Sequence, residues 1–111
     1  MTHDEIQALS GRELELAVME AGGWQREESP VRGWRRGNSF RVGRLKPLTD
    51  HNDAAKLRRE MAEDHTIRLQ VAHTGRCSLT FAGYSAPDIR GAGDTEGAAT
   101  ARAYLMWKEL R

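Results

Sequence analysis

Residues 66–81 read TIRLQVAHTGRCSLTF, and this stretch decides the fold. Ile67, Leu69 and Val71 alternate with Arg68 and Gln70, and Cys77, Leu79 and Phe81 alternate with Ser78 and Thr80. Successive side chains of a strand point to opposite faces, so a period of two gives one apolar face and one polar face. His73-Thr74-Gly75-Arg76 separates the two runs, and a glycine-containing break of this length reads as a hairpin turn. A sheet with one apolar face needs a cover, and the flanking sequence supplies helices for it.

Thr2 and Glu5 stand at capping-box spacing and predict one short helical turn carrying Ile6 and Leu9. Ser10 and Glu13 repeat the device, with Leu9 and Leu14 placed as a hydrophobic staple. Leu14, Ala17, Val18 and Ala21 then form an apolar stripe at helical spacing, which Gly22-Gly23 ends before Trp24. Thr49 or Asp50 caps a second helix, with Asp53 in its first turn and Ala54, Leu57 and Met61 on its apolar face. Asp94 or Thr95 caps a third, whose stripe is Ala99, Ala103, Met106 and Leu110. Its small alanines permit close approach to a sheet. The expected helices are 11–21, 50–63 and 95–110.

Between these elements the signals are weaker. Residues 25–30 (QREESP) are polar and end in proline, which predicts a loop. Val31–Arg36 and Ser39–Leu45 read as a second hairpin turning at Gly37-Asn38. Gly33 and Gly43 weaken both strands, so a long loop is the alternative for this region. Residues 82–93 (AGYSAPDIRGAG) read as a glycine-rich loop. The expected class is α+β in a single domain, 1–111: a small antiparallel sheet centred on hairpin 66–81, with a possible second hairpin at 31–45, covered by three helices in an α-β-α sandwich.

The chain has 111 residues, 39% hydrophobic and 30% charged, with a formal net charge of +1. Regularly spaced apolar residues at this content describe a small folded domain rather than a disordered chain. No run approaches the ~20 apolar residues of a membrane span, so no membrane partner is expected. The start, MTHDEIQALSG, lacks the basic and apolar regions of a signal peptide. A lone cysteine, Cys77, leaves no internal disulfide, and the whole fits the cytoplasm. The net charge conceals segregation. Residues 1–28 carry seven acids and two bases, whereas residues 29–48 carry six bases and no acid. Separated charge of this kind steers partners of opposite sign.

The strings GRELELAVMEAGGW (11–24), PLTDHNDAAKLRREM (47–61) and DTEGAATARAYLMW (94–107), in that order around a hairpin, resemble the phage ABA sandwich domain family of small phage proteins. Members typically have an N-terminal helix ending in Gly-Trp, a second helix, a β-hairpin and an alanine-rich last helix. The resemblance omits 25–46 and 82–93. It also departs from the family at Pro47-Leu48-Thr49, where many members have Tyr-Ser-Thr, and in lacking a cysteine in the last helix. It implies an α-β-α arrangement and a phage or prophage origin, hence the cytoplasm of a bacterial host. It supplies no catalytic residue.

The residues that suggest a working surface are Arg32, Trp34, Arg35, Arg36, Arg41 and Arg44, joined by Arg90 beside the glycine-rich loop. Arginines interleaved with Trp34 and Phe40 suit contact with phosphates, a base or an acidic protein surface. The plainer readings are a solvated strand pair, a dimer contact, and Trp34 as a cover for the edge of a thin core. His51 between Asp50 and Asp53 admits a general-base role, but a polar helix start is the preferred explanation. Cys77 follows the inward alternation and reads as core. Gly91-Ala92-Gly93 lacks both the dinucleotide fingerprint and the P-loop Lys-Ser/Thr. No His or Cys stands at metal-ligand spacing, so neither metal nor cofactor is expected. Taken with the phage origin that the resemblance implies, the absence of a catalytic motif favours a non-enzymatic phage accessory protein. It would bind and inhibit a host protein, such as a component of antiviral defence in the manner of an anti-CRISPR. The alternative is a nucleotide- or nucleic-acid-binding protein using 32–46. A homodimer joined at exposed sheet edges is compatible with either.

Overall fold

The computed structural model describes residues 1–63, 66–72, 74–82 and 90–109. Four helices, α1 (His3–Ala8), α2 (Gly11–Ala21), α3 (His51–Ala62) and α4 (Glu96–Glu109), accompany six strands. The strands are β1 (Gln25–Glu27), β2 (Gly33–Arg36), β3 (Ser39–Arg41), β4 (Thr66–Val71), β5 (Cys77–Ala82) and β6 (Arg90–Gly93). They form two antiparallel three-stranded sheets, ordered β1-β2-β3 and β4-β5-β6. The α+β expectation, a small sheet packed on helices, is borne out. His73, residues 83–89 of the expected loop and Leu110, all named above, lie outside the described residues.

The 66–81 hairpin pairs in the register that alternation requires, with Leu69 opposite Leu79 and Val71 opposite Cys77. Its turn closes through Ala72 N–H donating to Arg76 O at 2.8 Å and Gly75 N–H to Ala72 O at 2.8 Å. Gly75 adopts φ +86°, the left-handed position that a three-residue hairpin loop assigns to glycine. The inward set reaches the core in β5, where Leu79 is fully buried and Cys77 nearly so; Ile67 and Leu69 pack partly buried against it, and Val71, at the hairpin end, is exposed.

Residues 90–93 are a strand, not the loop that their composition suggests. β6 pairs with β5, placing Gly91 beside Leu79 and Gly93 beside Cys77 on the inward face. A Cβ on Gly91 would run into the backbone of Ala99 and Ala103, and one on Gly93 would meet the Ala98 side chain. The glycines thus admit α4 to backbone contact, and the alanines of α4 complete the fit. A strand built for close approach has no β-branched or aromatic residues to announce it.

α4 is the buried axis of the molecule. Ala99, Ala101, Ala103, Tyr104, Leu105 and Trp107 are all buried, as are Ile6, Leu14, Val18 and Met19 of the first two helices and Leu57 and Met61 of α3. Each large apolar side chain so buried contributes roughly 1.5–3 kcal/mol before entropy is counted. Polar ties fix the helices around this axis. Arg58 Nη1 donates to Thr100 Oγ1 at 3.0 Å, and Tyr104 OH donates to Glu60 Oε1 at 3.1 Å. Arg102 donates to Ala92 O at 2.7 Å and to Leu9 O at 2.9 Å, joining β6 to the chain just after α1. The Met1 amine lies 3.1 Å from Glu109 Oε1.

The caps match the sequence at most ends. Thr2 and Glu5 form a full capping box, and Asp50 caps α3 by accepting from Asn52 N and Asp53 N. Thr95 Oγ1 accepts from Ala98 N at the start of α4. Ser10 occupies the cap of α2 without a side-chain bond. After α2, Trp24 N–H donates to Met19 O and Gly23 N–H to Glu20 O, with Gly23 at φ +86°. That is the Schellman arrangement the paired glycines predict.

The second hairpin also forms, turning at Gly37-Asn38 with φ +59° at Gly37, but it covers only 33–36 and 39–41. No non-glycine residue has positive φ among the described residues, so the turn follows the type II′ pattern with glycine first. Residues 25–27, expected as loop, add β1 to its edge. Their exposed polar side chains carry no alternation to mark a strand. Leu45, beyond β3, is buried and its N–H meets Met19 Sδ at 3.3 Å.

Candidate functional site

A groove of about 900 Å³ opens between the β2–β3 hairpin and α3, lined by Trp24, Arg36, Arg41, Leu45, Lys56, Leu57, Arg59, Glu60 and Glu63. Each element places its share for a local reason. The Schellman end of α2 sets Trp24 at the base. The tight turn of the hairpin brings Arg36 and Arg41 across the opening, and the outer side of α3 supplies Lys56, Arg59, Glu60 and Glu63 at helical spacing.

Its centre is Arg36. The guanidinium lies 4.6 Å from the Trp24 ring centroid, donates to Gly22 O at 3.3 Å, and sits 3.7 Å from Glu60 Oε2. Arginine stacked on indole gives a flat cationic platform with an apolar underside. The Trp24 Nε1–H is buried with no acceptor. Lys56 pairs with Asp53 at 3.4 Å. Arg41 donates only to Gly43 O, at 2.6 Å, and Arg59 only to Ala55 O, at 3.4 Å. Both therefore keep their charge free of a carboxylate. Four cationic and two anionic side chains line the groove, an excess of two positive charges over an apolar floor of Trp24, Leu45 and Leu57.

The structure divides the expected site residues. Arg36 and Arg41 come together in the groove. Arg32 lies 3.3 Å from Glu28 and Arg35 2.6 Å from Glu27, while Arg35 also covers the Phe40 ring at 5.3 Å. Arg44 lies 3.3 Å from Glu15, which is buried. The acid-rich start of the chain thus folds back on the basic block, and charge that is segregated along the sequence is paired in space. Trp34 is half-buried, packs against the core, and carries Arg26 over its ring at 5.9 Å. That is the edge-cover reading of this residue. Arg90 stands apart on the β4–β6 sheet, where it lines a second hollow with Gln70, Thr74, Arg76 and Ser78.

Sequence reading missed Lys56, Arg59 and Trp24 as groove residues. Lys56 and Arg59 lie off the Ala54, Leu57 and Met61 face of the helix, and nothing in their spacing says that a hairpin earlier in the chain folds over them. Around His51 the carboxylates are engaged structurally. Asp50 caps α3, and buried Asp53 accepts from Lys46 N–H at 2.9 Å. Cys77 is buried as expected. No helix among the described residues is long and apolar enough to cross a membrane, and none of their His, Cys, Asp and Glu side chains gather in a group of three that would hold a metal ion. No family model matches the chain, and no curated protein and no solved structure matches it.

Proposed function

We propose that the protein acts by binding and not by catalysis, and that its partner is a host protein presenting an acidic segment to the groove between the β2–β3 hairpin and α3. The observation that carries this reading is the groove itself: Arg41 and Arg59 free of carboxylates, beside the Arg36–Trp24 stack and over an apolar floor. Aromatic and arginine side chains together are the composition of interface hot spots. The open shape suits a polypeptide segment better than a small molecule, which is usually enclosed on most of its surface. The resemblance to small phage proteins supports an origin in phage, action in the bacterial cytoplasm, and inhibition of the bound host protein, antiviral defence being the kind of target such proteins meet. The reading of 32–46 as a nucleotide site finds less support, because Arg32, Arg35 and Arg44 face Glu28, Glu27 and Glu15.

The test is affinity capture from host lysate at low salt, where screening leaves charge pairing intact. The expected result is a specific protein retained by the wild type and by Arg35→Ala, and lost from the Arg41→Glu/Arg59→Glu double variant. Equal capture by wild type and double variant, or no specific protein at all, overturns the reading.

A further inference from the structure

Among the described residues, four exposed arginines have no hydrogen bond and no ion pair: Arg12 on α2, and Arg68, Arg76 and Arg90. None is in the basic block, and the last three lie together on the β4–β6 sheet or at its hairpin turn. The register aligns Arg68 with Thr80 and Thr80 with Arg90. This makes one row across three strands, arginine, threonine, arginine. The neighbouring row is Gln70, Ser78 and Ala92. By alternation these rows share the face turned away from the one where Leu79 and Gly91 meet α4. Arg76 closes one end of the face from the hairpin turn. There Gln70, Thr74, Arg76, Ser78 and Arg90 line a hollow of about 360 Å³ in which no acid takes part.

Two arginines that sit two strand spacings apart, roughly 10 Å between Cα atoms, do not help the fold. They repel, and neither is compensated. The same spacing is useful to a ligand. The Thr80 hydroxyl between them is turned to the Arg68 carbonyl, 3.5 Å away, so the hydroxyl left for an oxyanion drawn between the guanidinium groups is that of Ser78, in the hollow. Arginine forks match the oxygen geometry of phosphate and bind it in pairs of parallel N–H···O bonds. Among the described residues no carboxylate pairs with them, so the internal competitor that neutralises Arg32, Arg35 and Arg44 is missing there.

We propose that this face is a phosphate-binding site, taking a phosphate monoester or free phosphate dianion, with Arg68 and Arg90 as the two-sided clamp, Arg76 as the end cation, and the Ser78 hydroxyl beneath. It is separate from the groove at α3, and its residues take no part in the binding proposed there.

Isothermal titration at ~50 mM salt with two probes, inorganic phosphate and a nucleoside monophosphate, tests it. Both bind saturably to the wild type, and the nucleotide binds at least as tightly. The Arg68→Ala/Arg90→Ala variant binds both at least tenfold more weakly, and Ser78→Ala shows a smaller loss. Arg35→Ala binds both as the wild type does. Because the second ionisation of a phosphate monoester lies near pH ~6, affinity falls when the titration is repeated at pH 5. Arg68 and Arg90 are exposed, so an unchanged thermal midpoint confirms that the double variant is folded. Absence of saturable heat with either probe overturns the proposal, as does equal binding by wild type and the double variant. Tight binding confined to oligonucleotides, with none to the two small probes, also overturns it, since it would place recognition in a run of backbone charges rather than in one seated phosphate.

Discussion

Glu15 shows what a single residue adds to and demands of this fold. It lies on α2 with 5% of its surface exposed, Arg44 approaches one carboxylate oxygen at 3.3 Å, and the other oxygen has no hydrogen-bond partner. Removing the partner of a buried charge costs more than the pair itself contributes. Arg44→Ala is therefore expected to lower stability by about 2 kcal/mol in urea denaturation, with most of the loss recovered when Glu15→Leu is added, because no buried charge then remains. Gly91 makes a second residue-scale prediction. Gly91→Ala drives a methyl group into the backbone of α4, where neither side can yield, and is expected to cost about 3 kcal/mol. Gly43→Ala, with open space around the new methyl group, is expected to change stability by less than about 1 kcal/mol. The basic character of Arg44 was plain in the sequence. Its partner was not, because Glu15 is one position off the apolar stripe of α2 and only the return of the chain after β3 covers it.

At the scale of elements, legibility followed the strength of local signals. α2 and α3 carry apolar stripes along one side and cap-type residues at their starts, signals that arise within a few residues, whereas α4 is capped but buried nearly all round, more than its stripe announces. β4 and β5 alternate. β1 and β6 do neither: one is polar and exposed, and the other is made of small residues that serve α4. Each becomes a strand because a neighbour offers a ladder of hydrogen bonds, which is tertiary information. The two sheets should also differ in how they open. β4–β6 lies against α4 with Leu79, Gly91 and Gly93 buried, whereas in β1–β3 only Gly33 is buried. Local opening free energy follows buried apolar contact. Native-state hydrogen exchange is expected to show the amides of β2 and β3 exchanging at least tenfold faster than the paired amides of β5. Equal protection in both sheets would show that the hairpin beside the groove is held by more than the contacts described.

Over the whole molecule, charge that is segregated along the sequence is largely paired in the fold. Glu15, Glu27 and Glu28 meet Arg44, Arg35 and Arg32, and Glu60 gathers Arg36, Lys108 and the Tyr104 hydroxyl. A reading of charge along the sequence identifies the right residues and overestimates how many remain available. Two of the seven expected site residues, Arg36 and Arg41, line the groove, and Arg90 marks the other candidate surface. The contact between the Met1 amine and Glu109 has a practical consequence at this scale. The first residue and the last turn of α4 are neighbours, so the chain can be closed into a ring and reopened elsewhere. A flexible Gly/Ser linker of four to six residues spans roughly 10–15 Å, enough to join the ends. New ends opened between Gly37 and Asn38, at an exposed hairpin tip, interrupt no buried segment. Such a permutant is expected to keep the circular dichroism of the parent and a thermal midpoint within a few degrees of it. It would also offer attachment points beside the groove, where a fluorophore can report on whatever binds there.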